Sequence, residues 1–211
     1  FLGFDNSYMA EVLRADPATL RGVAVLAPDV SDAAINELHG SGVRGIRFNL
    51  KGQDPAMPLD RDQTRLAERV GARGWHIEVY ADCERLPKLL DQWTARGLAV
   101  VVDHFGCPAA DGPGADAGLE DLITRAQSRS ERVYVKLSGP YRQRCNADRV
   151  ARQLIERVPG DRLLWGSDWP WTQNEGRFDY SDTVGWLLRW TEGAPDVVAD
   201  MNGAAERLYD F

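Results

Sequence analysis

Leu163–Trp171 reads Leu-Leu-Trp-Gly-Ser-Asp-Trp-Pro-Trp, and the fold turns on how this stretch is read. An apolar run that stops at Gly166 and Ser167 predicts a buried strand, and Pro170 blocks any further ladder pairing. Asp168 therefore stands at the C-terminal end of a strand, with Trp169 and Trp171 beside it. Enzymes built on parallel sheets keep catalytic groups at that end. The competing reading is an aspartate that only caps a turn or the next helix.

Upstream, the same pattern recurs. Apolar or β-branched runs at Gly22–Ala27, Gly45–Leu50, Trp75–Tyr80, Leu98–Asp103 and Val133–Leu137 each predict a strand, with Leu163–Ser167 the sixth. Between them lie helix signals. Asn6 to Ala15 opens the chain, Ser31 precedes Asp32–His39, and Asp60 precedes a helix to Arg73 with Gly74 at its end. Leu86, Leu89, Leu90 and Trp93 form a stripe at helical spacing. Further helices are expected at Leu119–Arg129, from Asn146 to Val158, at Ser181–Thr191 and, as short pieces, through Tyr209.

Six βα units in a row predict a parallel sheet, either a barrel or an open doubly wound sheet. Strand starts at 22, 45, 75, 98, 133 and 163 are spaced near the roughly 31 residues per unit of an eight-unit barrel. No G-x-G-x-x-G follows the first strand, so the dinucleotide form of the open sheet has no support. Polar residues also stand near several strand ends: Arg47 and Asn49, Tyr80, His104, Ser138 with Arg142, and Asp168. A barrel brings such ends to one mouth, whereas an open sheet spreads them along an edge. No linker divides residues 1–211, which are expected to form one domain.

The 211 residues, 44% hydrophobic and 27% charged, have the balance of a soluble globular protein. A net charge of −7 with no basic stripe excludes a phosphate-backbone partner. No apolar run approaches the ~18 residues of a membrane span, and no signal peptide opens the chain. Cys83, Cys107 and Cys145 are widely spaced and read as free thiols in a reducing compartment, hence a cytoplasmic protein. The start, Phe1-Leu2-Gly3-Phe4, has no Met and opens in what reads as the end of a strand, which predicts a piece of a longer protein.

Among the three histidines, His39 lies at a helix end and reads as solvated or as a dipole partner. His76 enters a strand from its N-terminal side and reads as structural. His104 ends a wholly apolar strand, where it could ligate a metal or donate a proton. Asp103, its neighbour, is expected to point the other way by strand alternation and to anchor a loop or helix. Arg47 faces a barrel interior and needs an anion, supplied by a protein carboxylate such as Asp168 or by a substrate. Arg142 is a second candidate for that task, Tyr80 could bond a substrate or fill a core layer, and Cys107 is expected to be structural.

Gly-Val-Arg-Gly-Ile-Arg-Phe-Asn-Leu (42–50), Val-Val-Val-Asp-His-Phe-Gly (100–106), Leu-Leu-Trp-Gly-Ser-Asp-Trp-Pro-Trp (163–171) and Asn-Gly-Ala-Ala-Glu-Arg-Leu-Tyr (202–209) together resemble the amidohydrolase-2 family, and within it the 2-pyrone-4,6-dicarboxylate lactonase-like branch. The resemblance covers essentially the whole chain. It implies a distorted (β/α)8 barrel of which this chain supplies strands three to eight, and a hydrolase opening a lactone of a carboxylated or sugar-derived small molecule. It also implies His104 and Asp168 as the site residues of strands six and eight, and Arg47, Tyr80 and Arg142 as substrate contacts. Asp168 is accordingly read as general base and His104 as the group polarising the carbonyl, with Asn49 and Trp169 as further substrate contacts and Trp169 and Trp171 walling the mouth.

Two departures from the family matter. Cys107 stands where relatives often carry Arg, and no H-x-H occurs in the sequence. His104 and Asp168 would be metal ligands only if the longer enzyme is metal-dependent, with one zinc or manganese ion; the branch resembled works without metal. Two ligands fall short of the three protein ligands of a catalytic zinc, so the chain alone is expected to be inactive. A decarboxylase of the same superfamily and a non-catalytic barrel fragment that binds a small acid are the alternatives. The expected partner is a small carboxylate or lactone, not nucleic acid or membrane, and self-association into a homo-oligomer stays open.

Overall fold

Each apolar run becomes a strand of one sheet in the computed structural model, which describes residues 3–54, 57, 59–109 and 117–211. The strands are β1 (Gly22–Ala24), β2 (Val43–Asn49), β3 (His76–Tyr80), β4 (Val100–Val102), β5 (Val133–Leu137) and β6 (Leu163–Trp165). Phe1 and Leu2, the Pro58 end of one loop and the middle of the Gly106–Gly118 loop lie outside the described residues.

All five neighbouring pairs are parallel, and the spatial order is β1-β2-β3-β4-β5-β6. That order decides between the two sheets. A doubly wound sheet reverses direction part-way, whereas a barrel adds each strand beside the last. The six strands form a curled half-barrel, as the rhythm of the sequence predicts.

The helices are α1 (Ser7–Ala15), α2 (Asp32–Gly40), α3 (Arg61–Gly71), α4 (Leu86–Thr94), α5 (Ala117–Gln127), α6 (Ala147–Arg157), α7 (Tyr180–Trp190) and α8 (Pro195–Tyr209). Three begin on the predicted caps. Ser31 accepts from the Ala34 amide, Asn146 from the Arg149 amide, and Asp60 forms a full capping box with Gln63. Each such cap contributes about 1 kcal/mol. The tail differs from expectation. Instead of short pieces, one 15-residue helix forms, with Pro195 in its first turn where the missing N–H costs nothing. Among the described residues no helix is long and apolar enough to cross a membrane.

Strand alternation divides the side chains. Ile46, Phe48, Ile77, Val79, Val100, Val102, Val133, Val135 and Leu137 pack outward against the helices, where Leu66, Val70, Leu89, Leu90 and Trp93 meet them. Inward residues divide by height. Near the N-terminal ends of the strands, Ala99, Val101, Tyr134 and Leu164 form a separate apolar cluster with Ala204 and Leu208 of α8. α8 thus floors the half-barrel, and the Asp210 carbonyl that follows it accepts two hydrogen bonds from Arg21 at 3.0 and 2.7 Å. Above this floor the inward residues are charged or polar.

His76 is structural, as its place at the N-terminal side of the strand predicts, whereas His39 is neither simply solvated nor a charged dipole partner. His76 is fully buried at the foot of β3 with its ring edge-on to Tyr209, and burial holds it neutral with its pKa brought down to about 3. His39 ends α2 and accepts a 2.9 Å bond from the Trp75 indole, so it is tied to the core.

Candidate active site

The C-terminal strand ends surround a cavity of about 760 Å³. Of the residues singled out from sequence, Arg47, Asn49, Tyr80, His104, Arg142 and Asp168 all line it. Trp169 does not: the residue is 67% exposed, outside the lining. Trp171 is likewise absent from the lining and donates its indole N–H to the Ser167 carbonyl at 3.1 Å. The chain turns sharply here. Asp168 and Trp171 both sit in the left-handed region, at φ of 58° and 59°, which sends Asp168 inward and the tryptophans away.

His104 and Asp168 meet across the mouth, with Nε2 3.9 Å from Oδ1. The other ring nitrogen of His104, Nδ1, is 2.9 Å from the Ser138 hydroxyl. Burial lowers the His104 pKa and keeps the ring neutral. The second oxygen of Asp168, Oδ2, is already taken: it accepts from the Tyr141 hydroxyl at 2.6 Å and from Arg142 Nε at 2.5 Å. Arg142 also donates to the Thr172 carbonyl at 3.2 Å.

One short segment makes most of these contacts. Ser138 holds His104, and Tyr141 and Arg142 hold Asp168. Gly139 lies between them at φ 57°, so close that a Cβ there would stand 2.8 Å from Asp168 Oδ2 and 3.0 Å from His104 Nδ1. Left-handed residues other than glycine cost about 1–3 kcal/mol each and gather at functional sites. His104, Phe105, Cys107 and Asp168 are four of them.

Those dihedrals also overturn the reading of Asp103. Alternation from Val101 aims Asp103 inward, and the left-handed turn at His104, φ 49°, then brings its successor to the same mouth. Asp103 is not a loop anchor. It accepts from Arg47 Nη2 at 2.8 Å and pairs with Lys136 Nζ at 3.0 Å. Glu78 completes a closed ring, 3.1 Å from Arg47 Nε and in contact with Lys136. The Arg47 anion is therefore a pair of protein carboxylates rather than Asp168.

Burial alone would raise the Asp103 pKa, but Lys136 and Arg47 outweigh it and bring it down to about 2. Glu78 goes the other way, raised by burial and by the Asp103 charge. Glu78 and Lys136 escaped the sequence reading although a signal existed. Each is a single charge inside an apolar strand, His-Ile-Glu-Val-Tyr and Val-Tyr-Val-Lys-Leu. Such a residue must face a polar interior or a partner. Cys107 is buried with its thiol pushed up to about 12 by burial, so it supplies no nucleophile at neutral pH.

Residues 2–211 match the amidohydrolase family. The chain belongs to it. This amidohydrolase is similar to the 2-pyrone-4,6-dicarboxylate hydrolase of Comamonas testosteroni, 36% identical over 183 residues, 80% of this chain and 59% of that one. It is 27% identical over 191 residues to the 4-sulfomuconolactone hydrolase of Hydrogenophaga intermedia, covering 84% and 59% of the two chains. A crystal structure from Pseudomonas putida, of a protein proposed to be a 2-pyrone-4,6-dicarboxylic acid hydrolase, superposes with a TM-score of 0.87 at 34% identity over 99% of this chain and 78% of its own. The chain thus spans about 59% of the length of the curated relatives it matches.

Members of this family are typically metal-dependent. Among the described residues no group of three or more His, Cys, Asp or Glu side chains is placed to hold a metal ion. His104 and Asp168 are two donors, and the Arg142 guanidinium already occupies one Asp168 oxygen. A catalytic zinc takes three protein ligands, so the donors of this chain do not by themselves fit one.

Proposed function

We propose that the enzyme to which this chain belongs opens a carboxylated lactone by general-base attack of water, with Asp168 as the base. The observation that carries this reading is the divided environment of Asp168. Oδ2 is held by Tyr141 and Arg142, while Oδ1 faces His104 across the polar cavity. A carboxylate anchored by one oxygen can take a water proton on the other. The relatives named above, which act on a pyrone dicarboxylate and a sulfomuconolactone, point to the same substrate class.

The chemistry follows from the neighbours. A Ser138 hydroxyl donating to His104 Nδ1 leaves Nε2–H directed into the cavity, toward the carbonyl oxygen of a bound lactone. Asp168 removes a proton from water as its oxygen bonds to the lactone carbon. The tetrahedral intermediate then expels the ring oxygen, the C–O bond breaks, and the proton on Asp168 passes to that oxygen. The product is an open-chain acid. Arg142 offers a cation to a substrate carboxylate, and Tyr80, whose ring is edge-on to His104 at 4.9 Å, walls the pocket beside it.

Replacing Asp168 with Asn in the full-length protein tests the assignment against a panel of carboxylated lactones. General-base catalysis contributes typically 10²–10⁴-fold, so kcat for ring opening falls by about that factor. Ring opening that survives Asp168→Asn refutes the base, and release of CO2 in place of ring opening points to decarboxylation.

A further inference from the structure

Tyr141 takes no part in the proton transfers of ring opening, yet it makes one of the two bonds that hold Asp168. We infer that Tyr141 is a positioning residue that fixes Asp168 with Oδ1 free. The inference rests on the general-base reading of Asp168.

The geometry supports more than a chance contact. The hydroxyl donates to Oδ2 at 2.6 Å, within the range of charge-assisted O–H···O⁻ bonds. Arg142 Nε reaches the same oxygen at 2.5 Å, so Oδ2 carries two donors and Oδ1 is the oxygen turned to His104. Tyr141 is itself held from behind. Its ring stacks on Phe178 with centroids 4.7 Å apart and an interplanar angle of 28°, and Trp186 of α7 lies 6.0 Å from it and 5.2 Å from Phe178. An aromatic stack running back to α7 thus ends in a hydroxyl aimed at the base. Gly139 lets the segment come this near, because any side chain there would strike Asp168.

The division of labour between the two donors is chemical. Arg142 is a permanent cation, which a substrate carboxylate can draw toward itself. Tyr141 is a neutral donor with no such competing role, and burial together with the Asp168 bond raises its pKa, so it stays protonated and donating. When a substrate anion engages Arg142, the Tyr141 bond is the one that keeps Asp168 from rotating its occupied oxygen into the mouth.

Tyr141→Phe in the full-length enzyme removes the hydroxyl and keeps the stack. A hydrogen bond to a charged group supports a loss of roughly ten-fold in kcat, with KM changed less than about two-fold. Placing 3-fluorotyrosine at 141 keeps both ring and hydroxyl, so kcat returns to within about two-fold of the parent. Unchanged kcat in Tyr141→Phe, or an equal loss in the 3-fluorotyrosine enzyme, overturns the inference, as does a rise in KM alone, which marks a substrate contact. Asp168→Asn measured in parallel separates the two layers. Its survival as an active lactonase sinks the base assignment, whereas its loss beside a Tyr141→Phe enzyme like the parent sinks only the role of Tyr141.

Discussion

Removing Lys136 from the inner charge ring should cost more stability than any exposed ion pair in this fold. Lys136 is matched against Glu78 and Asp103, whose side chains are 8% and 2% exposed. Lys136→Met leaves those two buried carboxylates sharing Arg47, and a buried pair broken on one side typically costs 3–5 kcal/mol. Set against the 5–15 kcal/mol of an ordinary domain, that is a large share.

Urea denaturation followed by tryptophan fluorescence, with the slope held to the parent value, measures the loss. The variant also carries a pH signature. Glu78 already has a raised pKa from burial and the Asp103 charge, and losing Lys136 raises it further. A raised carboxyl binds more protons folded than unfolded, so its contribution is present at low pH and lost as pH rises through the folded value. The deficit of Lys136→Met relative to the parent should therefore shrink as pH falls toward the ordinary carboxylate range. Adding Glu78→Gln should recover much of the loss, since it removes one of the unpaired charges. The reasoning would be falsified if the single variant lost under about 1 kcal/mol, or if the double variant were no more stable than the single.

Two further outcomes follow from named geometry. Gly139→Ala in the full-length enzyme places a methyl 2.8 Å from Asp168 Oδ2 at a φ of 57°, so kcat should fall by about ten-fold or more and the melting temperature should drop by roughly 2–10 °C; wild-type turnover would show that the segment has room to yield. His76, held neutral down to about pH 3 against 6.5 when unfolded, makes the unfolded chain bind the extra proton, so stability should fall by about 1.4 kcal/mol per unit as pH drops below 6.5. His76→Phe should flatten that slope in acid denaturation, and an equally steep slope in the variant would assign the acid loss elsewhere.

How much of this was legible in sequence depends on the kind of signal. Short, β-branched apolar runs such as Val100-Val101-Val102, with Gly97 before and Gly106 after, carry the signature of strands buried on both faces. Strand-end residues, Arg47, Tyr80, His104 and Asp168, were visible because each interrupts such a run. Asp103 was misread because alternation was counted from His104, and the left-handed dihedral that breaks the count has no sequence signature beyond the following Phe-Gly. Trp169 looked like a wall of the mouth for the same reason: the turn at Asp168 reverses which neighbour faces inward. The Tyr141 bond to Asp168 joins residues 27 apart, which no local pattern announces.

The floor of the half-barrel has a consequence in time rather than in space. Arg21, just before β1, closes on the Asp210 carbonyl across 189 residues, and Leu208 and Tyr209 pack beneath strands made far earlier. During synthesis the inner faces of β4, β5 and β6 therefore stay open until α8 has left the ribosome. At roughly 5–20 residues per second, the interval between β1 and its last partner lasts on the order of ten seconds or more. Within that interval Val101, Tyr134 and Leu164 emerge in turn, and each stays uncovered by α8 until Ala204 and Leu208 follow.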